Sequence, residues 1–331
     1  MPEWKYGIKI SAPVNFPFAQ ALQNEPVVCN ATSNKVQVVD FANADPKLMN
    51  AYCMKLFPLD SKIIAYHAAN ITSGTLIYVP PNTKGELVTI KSSSVNFQCQ
   101  HILVVVDTGS SIEIVDENRN AAWSTHVIEL VVHENGHAKL LSITATESTI
   151  TLKRAQAMEG GSVEIIECIH SSSFVHSNTA ISLLGREAEG KVSTVFYGRA
   201  KEVFDISSRI DHLAPFTISR MTTKGILTDS SKAIVRGNID MHKVASKSKG
   251  KQVEQILLLS KDAEVDPIPM LQAETNDIEC SHSAAIGRID PEILFYMNSR
   301  GLSEEESKKV IITGFFDTID PRVSDEMREV L

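Results

Sequence analysis

Between residues 62 and 285 the chain is a succession of short, alternating apolar runs with no space between them for long helices. That feature constrains the fold more than any other. Residues 76–79, 87–90, 102–106, 112–115 and 127–132 are such runs, and 140–143, 150–152, 163–166, 181–184 and 192–195 continue them. Each is short and rich in Val, Ile, Thr or Ser, the composition of a half-buried strand. No segment here shows the apolar spacing of an amphipathic helix of about 12 residues, so an alternating strand–helix fold is disfavoured. Gly109, Gly136, Gly161 and Gly190 each stand just before a run, at intervals in the twenties. Two or three strands per such period predict a β-solenoid, in which a single coil cannot bury its inward face and stacking buries it. An antiparallel sandwich shares the short strands and turns. The recurring spacing favours the solenoid.

The flanks read differently. Residues 1–61 are irregular apart from one short helix expected over 46–57, with Asp45 as N-cap, Pro46 at the first helical position and Pro58 beyond. Residues 62–289 form the expected solenoid core, and 290–331 a helical segment. There Asp290 and Pro291 open a helix that Gly301 closes. Ser303 and Glu306 make a capping box for a second helix carrying Val310, Ile311 and Ile312 and stopping at Gly314. Residues 324–331 can add a short third helix. Part of this helical segment is expected to cover the open end of the solenoid.

At 331 residues and 43% hydrophobic content the chain can bury a core without disulfides. Its longest purely aliphatic run, 102–106, is far short of the ~20 residues of a membrane helix. The N-terminus shows no basic stretch followed by an apolar one, so no secretory leader is expected. The net charge of −8 argues against sequence-independent nucleic-acid binding. Five scattered cysteines, Cys29, Cys53, Cys99, Cys168 and Cys280, read as free thiols of a reducing, cytoplasmic compartment.

Several motifs invite chemistry. His133 and His137 fit the H-E-x-x-H pattern of zinc hydrolases, but that pattern needs a helix, and Asn135-Gly136 is a turn dipeptide. Glu264 and Asp266 are paired carboxylates of the kind glycosidases use; a solvated turn before Pro267 and Pro269 is the simpler reading. Cys168 with His170 and Cys280 with His282 share a C-x-H spacing, which on a strand points both side chains to one face and offers a thiolate and an imidazole to one metal. No Walker-type phosphate loop occurs in the chain.

The block Ser231-Lys-Ala-Ile-Val-Arg-Gly-Asn-Ile, the block Gln255-Ile-Leu-Leu-Leu-Ser, residues 263–269, and Ile278-Glu-Cys-Ser-His-Ser-Ala-Ala-Ile-Gly-Arg-Ile-Asp follow in order. Together with residues 294–306 and 311–315 they resemble the SufB/SufD family, scaffold components of the SUF iron–sulfur cluster assembly machinery. The specific match covers about residues 225–315. The resemblance implies a right-handed parallel β-helix, all-β at its core, with a helical C-terminal segment. It implies a non-enzymatic scaffold that assembles an iron–sulfur cluster transiently and passes it on, with ATP bound only by a partner, a SufC-like ABC ATPase. That ATPase would dock on the C-terminal helices through Leu294, Phe295, Tyr296, Arg300, Gly301 and Phe315. A homodimer, or a heterodimer with a SufB/SufD-like subunit, is implied through the β-helix, with a sulfur donor protein as a further partner. Nucleic acid and membrane are not expected partners.

Where SufB carries a cysteine shortly before the 257–260 block, this chain reads Val253-Glu-Gln-Ile-Leu; where SufD carries C-S-H-G, it reads Cys280-Ser-His-Ser. The pattern is closer to SufD, and a minimal system with one SufB/D-like subunit fits the short chain too. Cluster and metal contacts are expected at Cys280 and His282, with Glu254 and Glu279 as further candidates. The competing function class is a β-helix protein that binds or cleaves polysaccharide.

Overall fold

The computed structural model describes residues 27–31, 35–57, 62–93, 97–119, 122–317 and 319–330. Parallel strands wind into a β-solenoid of about eight turns. A front sheet stacks β4 (Glu86–Ser93), β6 (Ser111–Arg119), the first halves of β8 (His137–Ala157) and β9 (Ser162–Leu183), then β10 (Glu189–Gly198), β12 (Ile218–Leu227), β14 (Ser248–Leu258) and β16 (Ile278–Gly287). A back sheet stacks β3 (Ser73–Val79), β5 (Phe97–Val106), β7 (Trp123–Val132), the second halves of β8 and β9, then β11 (Val203–His212), β13 (Lys232–Met241) and β15 (Glu264–Ala273). The all-β solenoid expected from the runs and glycines is therefore the fold.

The repeat is conformational rather than compositional. Gly136 and Gly161 each donate a backbone hydrogen bond three residues back, and the next coil makes the same bond from Ala188, not Gly190. Gly190 lies inside β10, opposite Val163. One position before this bond four successive coils adopt a positive φ. Gly109 and Gly160 fill it without strain; Asn135 and Glu187 fill it in neighbouring coils. Only some coils spend a glycine there, which is why the spacing in the sequence is loose.

Alternation sets the core. Leu140, Ile165, Val192 and Met221 stack on neighbouring strands and fill the interior, while Leu141, Ile166 and Cys168 face outward from the same sheet. Both outer faces are partly covered. On the back sheet lie α1 (Pro46–Tyr52), against Leu103 and Val105, and α2 (Lys62–Ala69), whose Ile64 packs with Val127 and Ile150. The Asp45 cap and Pro46 start are as expected, but the helix ends at Tyr52. A second helix occupies the first residues assigned to strands, because α2 needs only one short apolar stripe to bind a face it does not extend.

The segment read as irregular also contributes β1 (Val27–Ala31) and β2 (Gln37–Asp40), which pair antiparallel with β4 and β3. Residues 1–26 and Pro58 lie outside the described residues.

Of the C-terminal helices, α3 (Pro291–Ser299) and α4 (Glu304–Phe316) begin where expected, with the Asp290 cap and the Ser303–Glu306 capping box in place; α4 runs through Gly314 to Phe316, since one Gly costs a helix only about 1 kcal/mol, and α5 (Pro321–Val330) starts three residues before 324. Their position corrects the expectation that they cover the open end. They fold back over the outer face of the front sheet: Ile312, Phe316, Val323 and Met327 bury against Leu141, Ile143, Ile166 and Cys168. Glu326 takes a two-pronged contact from Arg119 (2.7 and 2.8 Å) and one from His170 (2.8 Å), and Asp320 takes one from Lys139 (3.0 Å). The fold-back wins because the outward face of β8 and β9 is apolar and needs cover, whereas the last strands are not. Phe316 is fully buried in this contact. Phe316→Ala should cost about 3–5 kcal/mol of helix docking. Hydrogen exchange should accelerate through α4 and α5 and stay slow in β8 and β9; unchanged exchange in the helices would contradict the packing.

Candidate functional site

The solenoid ends on β15 and β16, whose outer edges carry no further strand among the described residues. In a parallel ladder successive residues turn their N–H and C=O alternately to the two neighbouring strands. The Glu264 N–H donates back to Ser231 O (3.1 Å), so Val265, Pro267, Pro269 and Leu271 turn their backbone to the free edge. Two of those positions are proline and offer no donor. On β16 the Lys249 N–H donates back to Thr217 O (2.9 Å), and Lys249 pairs with Glu279. The free edge there belongs to Cys280, His282, Ala284 and Ile286, all of which keep their N–H groups. The back sheet thus ends in a blocked edge and the front sheet in an open one.

The same alternation turns Cys280 into the lumen of the solenoid. Gly250, opposite it on β14, makes the space: a Cβ there would lie 2.9 Å from Cys280 Sγ and 2.7 Å from Met241 Cε. Cys280 is half-buried; burial pushes its thiol up, opposed by a hydrogen bond from the Ser281 backbone. His282 is exposed and stands opposite Gln252. One residue pair further in, Gln252 Nε2 donates to Glu254 Oε1 (2.8 Å), while Gln252 Oε1 and Glu254 Oε2 are buried without a hydrogen-bond partner. Gly237 on the back sheet leaves the room these two side chains need. Burial raises Glu254 to about 7, with the Gln252 hydrogen bond working against the shift. A thiol, an imidazole and a carboxyl thus share one lumen face at the open end, while no third His, Cys, Asp or Glu of the described residues joins Cys280 and His282 at ligand spacing.

Glu279 does not belong to this face. It points outward and pairs with Lys249 (3.0 Å), because it is one residue out of phase with Cys280. Cys168 and His170 do share a face, as the spacing required, but it is the outer one. Cys168 is buried beneath the C-terminal helices, where burial drives its thiol far up, and His170 is bound to Glu326. His133 and His137 flank the turn between β7 and β8; His133 is hydrogen-bonded to Tyr52 (3.0 Å) and His137 to Ser162 (3.0 Å), with no shared ligand position. Glu264 and Asp266 lie in strand β15 rather than a turn, and Glu264 pairs with Lys232 (2.9 Å).

On the helices, Phe295 and Tyr296 are exposed at 76% and 58%, and the guanidinium of Arg300 lies 5.1 Å from the Tyr296 ring centre. Leu294 is half-buried, and Gly301 takes the positive φ that closes α3. Phe315 is engaged with the solenoid: its ring meets Phe316 and the Lys224 ammonium, and its carbonyl accepts from Lys224 (2.6 Å). Ile293 and Val310, which the sequence reading left out, extend the exposed apolar patch.

A family model described as "SUF system FeS cluster assembly, SufBD core domain" matches residues 88–315. The chain belongs to the SufBD family. Iron–sulfur cluster assembly SufBD family proteins of Staphylococcus saprophyticus, Staphylococcus epidermidis and Staphylococcus aureus strain USA300 are each 27% identical to it over 284 residues. The match covers 82% of this chain and 61% of each relative, so the chain spans less than two thirds of the relatives' length. The SufBD core match includes the last coils, Cys280 and His282, together with α3 and most of α4.

The raised Glu254 carboxyl has a consequence for stability. A carboxyl held near 7 in the fold favours the folded state at low pH, and that contribution fades as pH rises from the ordinary carboxylate range through about 7. Glu254→Gln keeps the shape without the charge. The melting temperatures of the two proteins should agree at pH 4, and the variant should be higher by about 2–4 °C at pH 8. Parallel melting curves across that range would contradict the buried, uncompensated carboxyl.

Proposed function

We propose that this SufBD-family chain is a scaffold subunit on which an iron–sulfur cluster is built transiently and from which it leaves as cargo. The observation that carries the reading is the lumen-facing Cys280 and His282 on the terminal strand β16. Thiolate suits iron–sulfur chemistry, and imidazole can replace one thiolate with a change in potential. Iron binding would take the thiol proton that burial otherwise holds on Cys280. Glu254, one coil in and opposite Ala284, stands outside ligand spacing of the pair and serves as a proton acceptor beside the site. The chain itself catalyses no covalent turnover in this reading.

Two donors and an open edge are half a site. The second half comes from another scaffold, either a second copy or a SufB/SufD-like sister, adding its terminal strand along β16, where four backbone positions await partners. The proline-blocked β15 steers such pairing to the front sheet. We read the Cys280-Ser-His282 pattern as closer to SufD than to SufB. A SufC-like ABC ATPase docks on Ile293, Phe295, Tyr296 and Val310, with Arg300 at the rim; Phe315 serves as the anchor of that platform rather than its contact. ATP binds to that partner, and its movement reaches the site through α3, which follows β16 directly. A sulfur donor protein delivers sulfide to the complex. Within this scheme the chain divides into an N-terminal segment (1–61), the solenoid (62–289) and the docking segment (290–331), and it works in the cytoplasm. No helix of the described residues is long and apolar enough to cross a membrane.

Anaerobic reconstitution of the ATPase–scaffold complex tests the site. Cys280→Ala combined with His282→Ala should cut bound iron and sulfide at least severalfold while gel filtration shows the complex intact. Wild-type iron and sulfide content in the double variant would remove these residues from the ligand set. The platform has its own test: Phe295→Ala with Tyr296→Ala should weaken ATPase binding by ~2 kcal/mol or more, about 30-fold, with the melting temperature unchanged. Undiminished binding in calorimetry would overturn it.

A further inference from the structure

Far from the last coil, on the outer face of the back sheet, three potential metal ligands converge beneath the N-terminal helices. His101 on β5 and Glu129 on β7 are diagonal neighbours on adjacent strands, since Leu103 pairs with Glu129 and His101 with Val127. Cys53, the C-cap of α1, is laid over them by the turn that follows. Ligand atoms of Cys53, His101 and Glu129 all lie within 4.8 Å of one another. Two donors on one tetrahedral zinc-type ion, at about 2.0–2.3 Å each, lie about 3.3–3.8 Å apart, so an ion would draw the more distant donors of the set inward.

Three observations mark this cluster as more than packing. Glu129 is fully buried, yet among the described residues no Lys or Arg pairs with it; its oxygens take the His101 Nε2 contact (3.0 Å) and the N–H groups of Met54 (2.6 Å) and Leu56 (3.1 Å). His101 Nδ1 is buried without a hydrogen-bond partner, and so is Nε2 of the adjacent His67, whose ring lies 5.4 Å from that of His101. Such bare nitrogens are costly in a core and are ligand-type atoms. Lastly, Met54 holds a positive φ of 59° so that its N–H reaches Glu129, which brings Cys53 over the pair.

We infer that Cys53, His101 and Glu129 form a binding site for a divalent cation of borderline softness, of which Zn2+ is the type, with the fourth position open to water. Sulfur, nitrogen and oxygen donors together suit such an ion and disfavour Mg2+ or Ca2+. Binding releases the Cys53 thiol proton to solvent and leaves the metal's oxidation state unchanged. The ion supplies the positive charge that buried Glu129 otherwise lacks, and it clamps the turn after α1 to strands β5 and β7. The site stands apart from Cys280 and His282, at the other end of the solenoid, and does not depend on the reading proposed for them.

Co2+ is the spectroscopic probe for the test, with Zn2+ as competitor. The metal-stripped full chain, titrated anaerobically, should bind one equivalent of Co2+ with a thiolate-to-cobalt charge-transfer band in the near ultraviolet, and Zn2+ should abolish that band. Cys53→Ser, at a half-buried position that tolerates the change, should lose the band and weaken Zn2+ binding at least about tenfold. His101→Gln should also weaken it; if that variant fails to fold, Cys53→Ser decides alone. Each titration is repeated in the Cys280→Ser background, so that the donors proposed on β16 contribute no thiolate band of their own, and the same outcomes are expected there. Absence of the band in the wild-type chain, or its survival in folded Cys53→Ser in that background, would overturn the assignment.

Discussion

Everything in this molecule depends on the parallel backbone ladder. Each coil satisfies its N–H and C=O groups on the coil before and the coil after, so only the two ends of the stack are left with unmet hydrogen bonds. At the N-terminal end β1 and β2 run antiparallel along the first strands. At the other end prolines blunt β15, while β16 keeps its donors. The position of Cys280 and His282 follows: inward-facing side chains on β16 are those whose backbone faces the free edge, so a strand added there also brings its side chains to theirs.

The interior is held in register by more than apolar stacking. Lys153 and Glu167, both almost wholly buried, form an ion pair of 2.8 Å across the lumen, and Glu167 also accepts from Ser177 and Thr194 (2.8 and 2.9 Å). Burial works to raise Glu167, but Lys153 and these hydroxyls outweigh it. Removing one member of such a pair costs about 3–5 kcal/mol, because the other is left uncompensated. A slip of one residue would turn the whole column outward. Polar groups in the lumen, among them Asp116, Ser142 and Glu254, therefore specify the winding that brings the last coil to its place.

How much of this was legible in the sequence depends on range. Local features were readable: the strand runs, the Asp45, Asp290 and Ser303 caps, and the shared face of Cys280 and His282. Non-local ones were not. Gly190 looked like a repeat glycine, but the fold asks for a positive φ that Asn135 and Glu187 also supply. Cys168 and His170 carried the same spacing as Cys280 and His282, and only the fold-back of α5 shows that they are covered. Glu279 looked close to the site because it adjoins Cys280, yet adjacency on a strand means opposite faces. Cys53, His101 and Glu129, far apart in the chain, meet only because α1 lies across β5 and β7.

The central claim is that β16 is a half-used strand completed by a second scaffold. Residue-resolved hydrogen exchange along β16, in the isolated chain and in the assembled complex, tests it most directly. In the isolated chain the amides of Cys280, His282, Ala284 and Ile286 should exchange fast, and those of Ser281, Ser283 and Ala285, bonded to β14, should exchange slowly. Assembly should slow the first set by orders of magnitude and leave the second where it was. If the first set still exchanges fast in the complex, the scaffolds do not join along β16, and the account of the site fails with it.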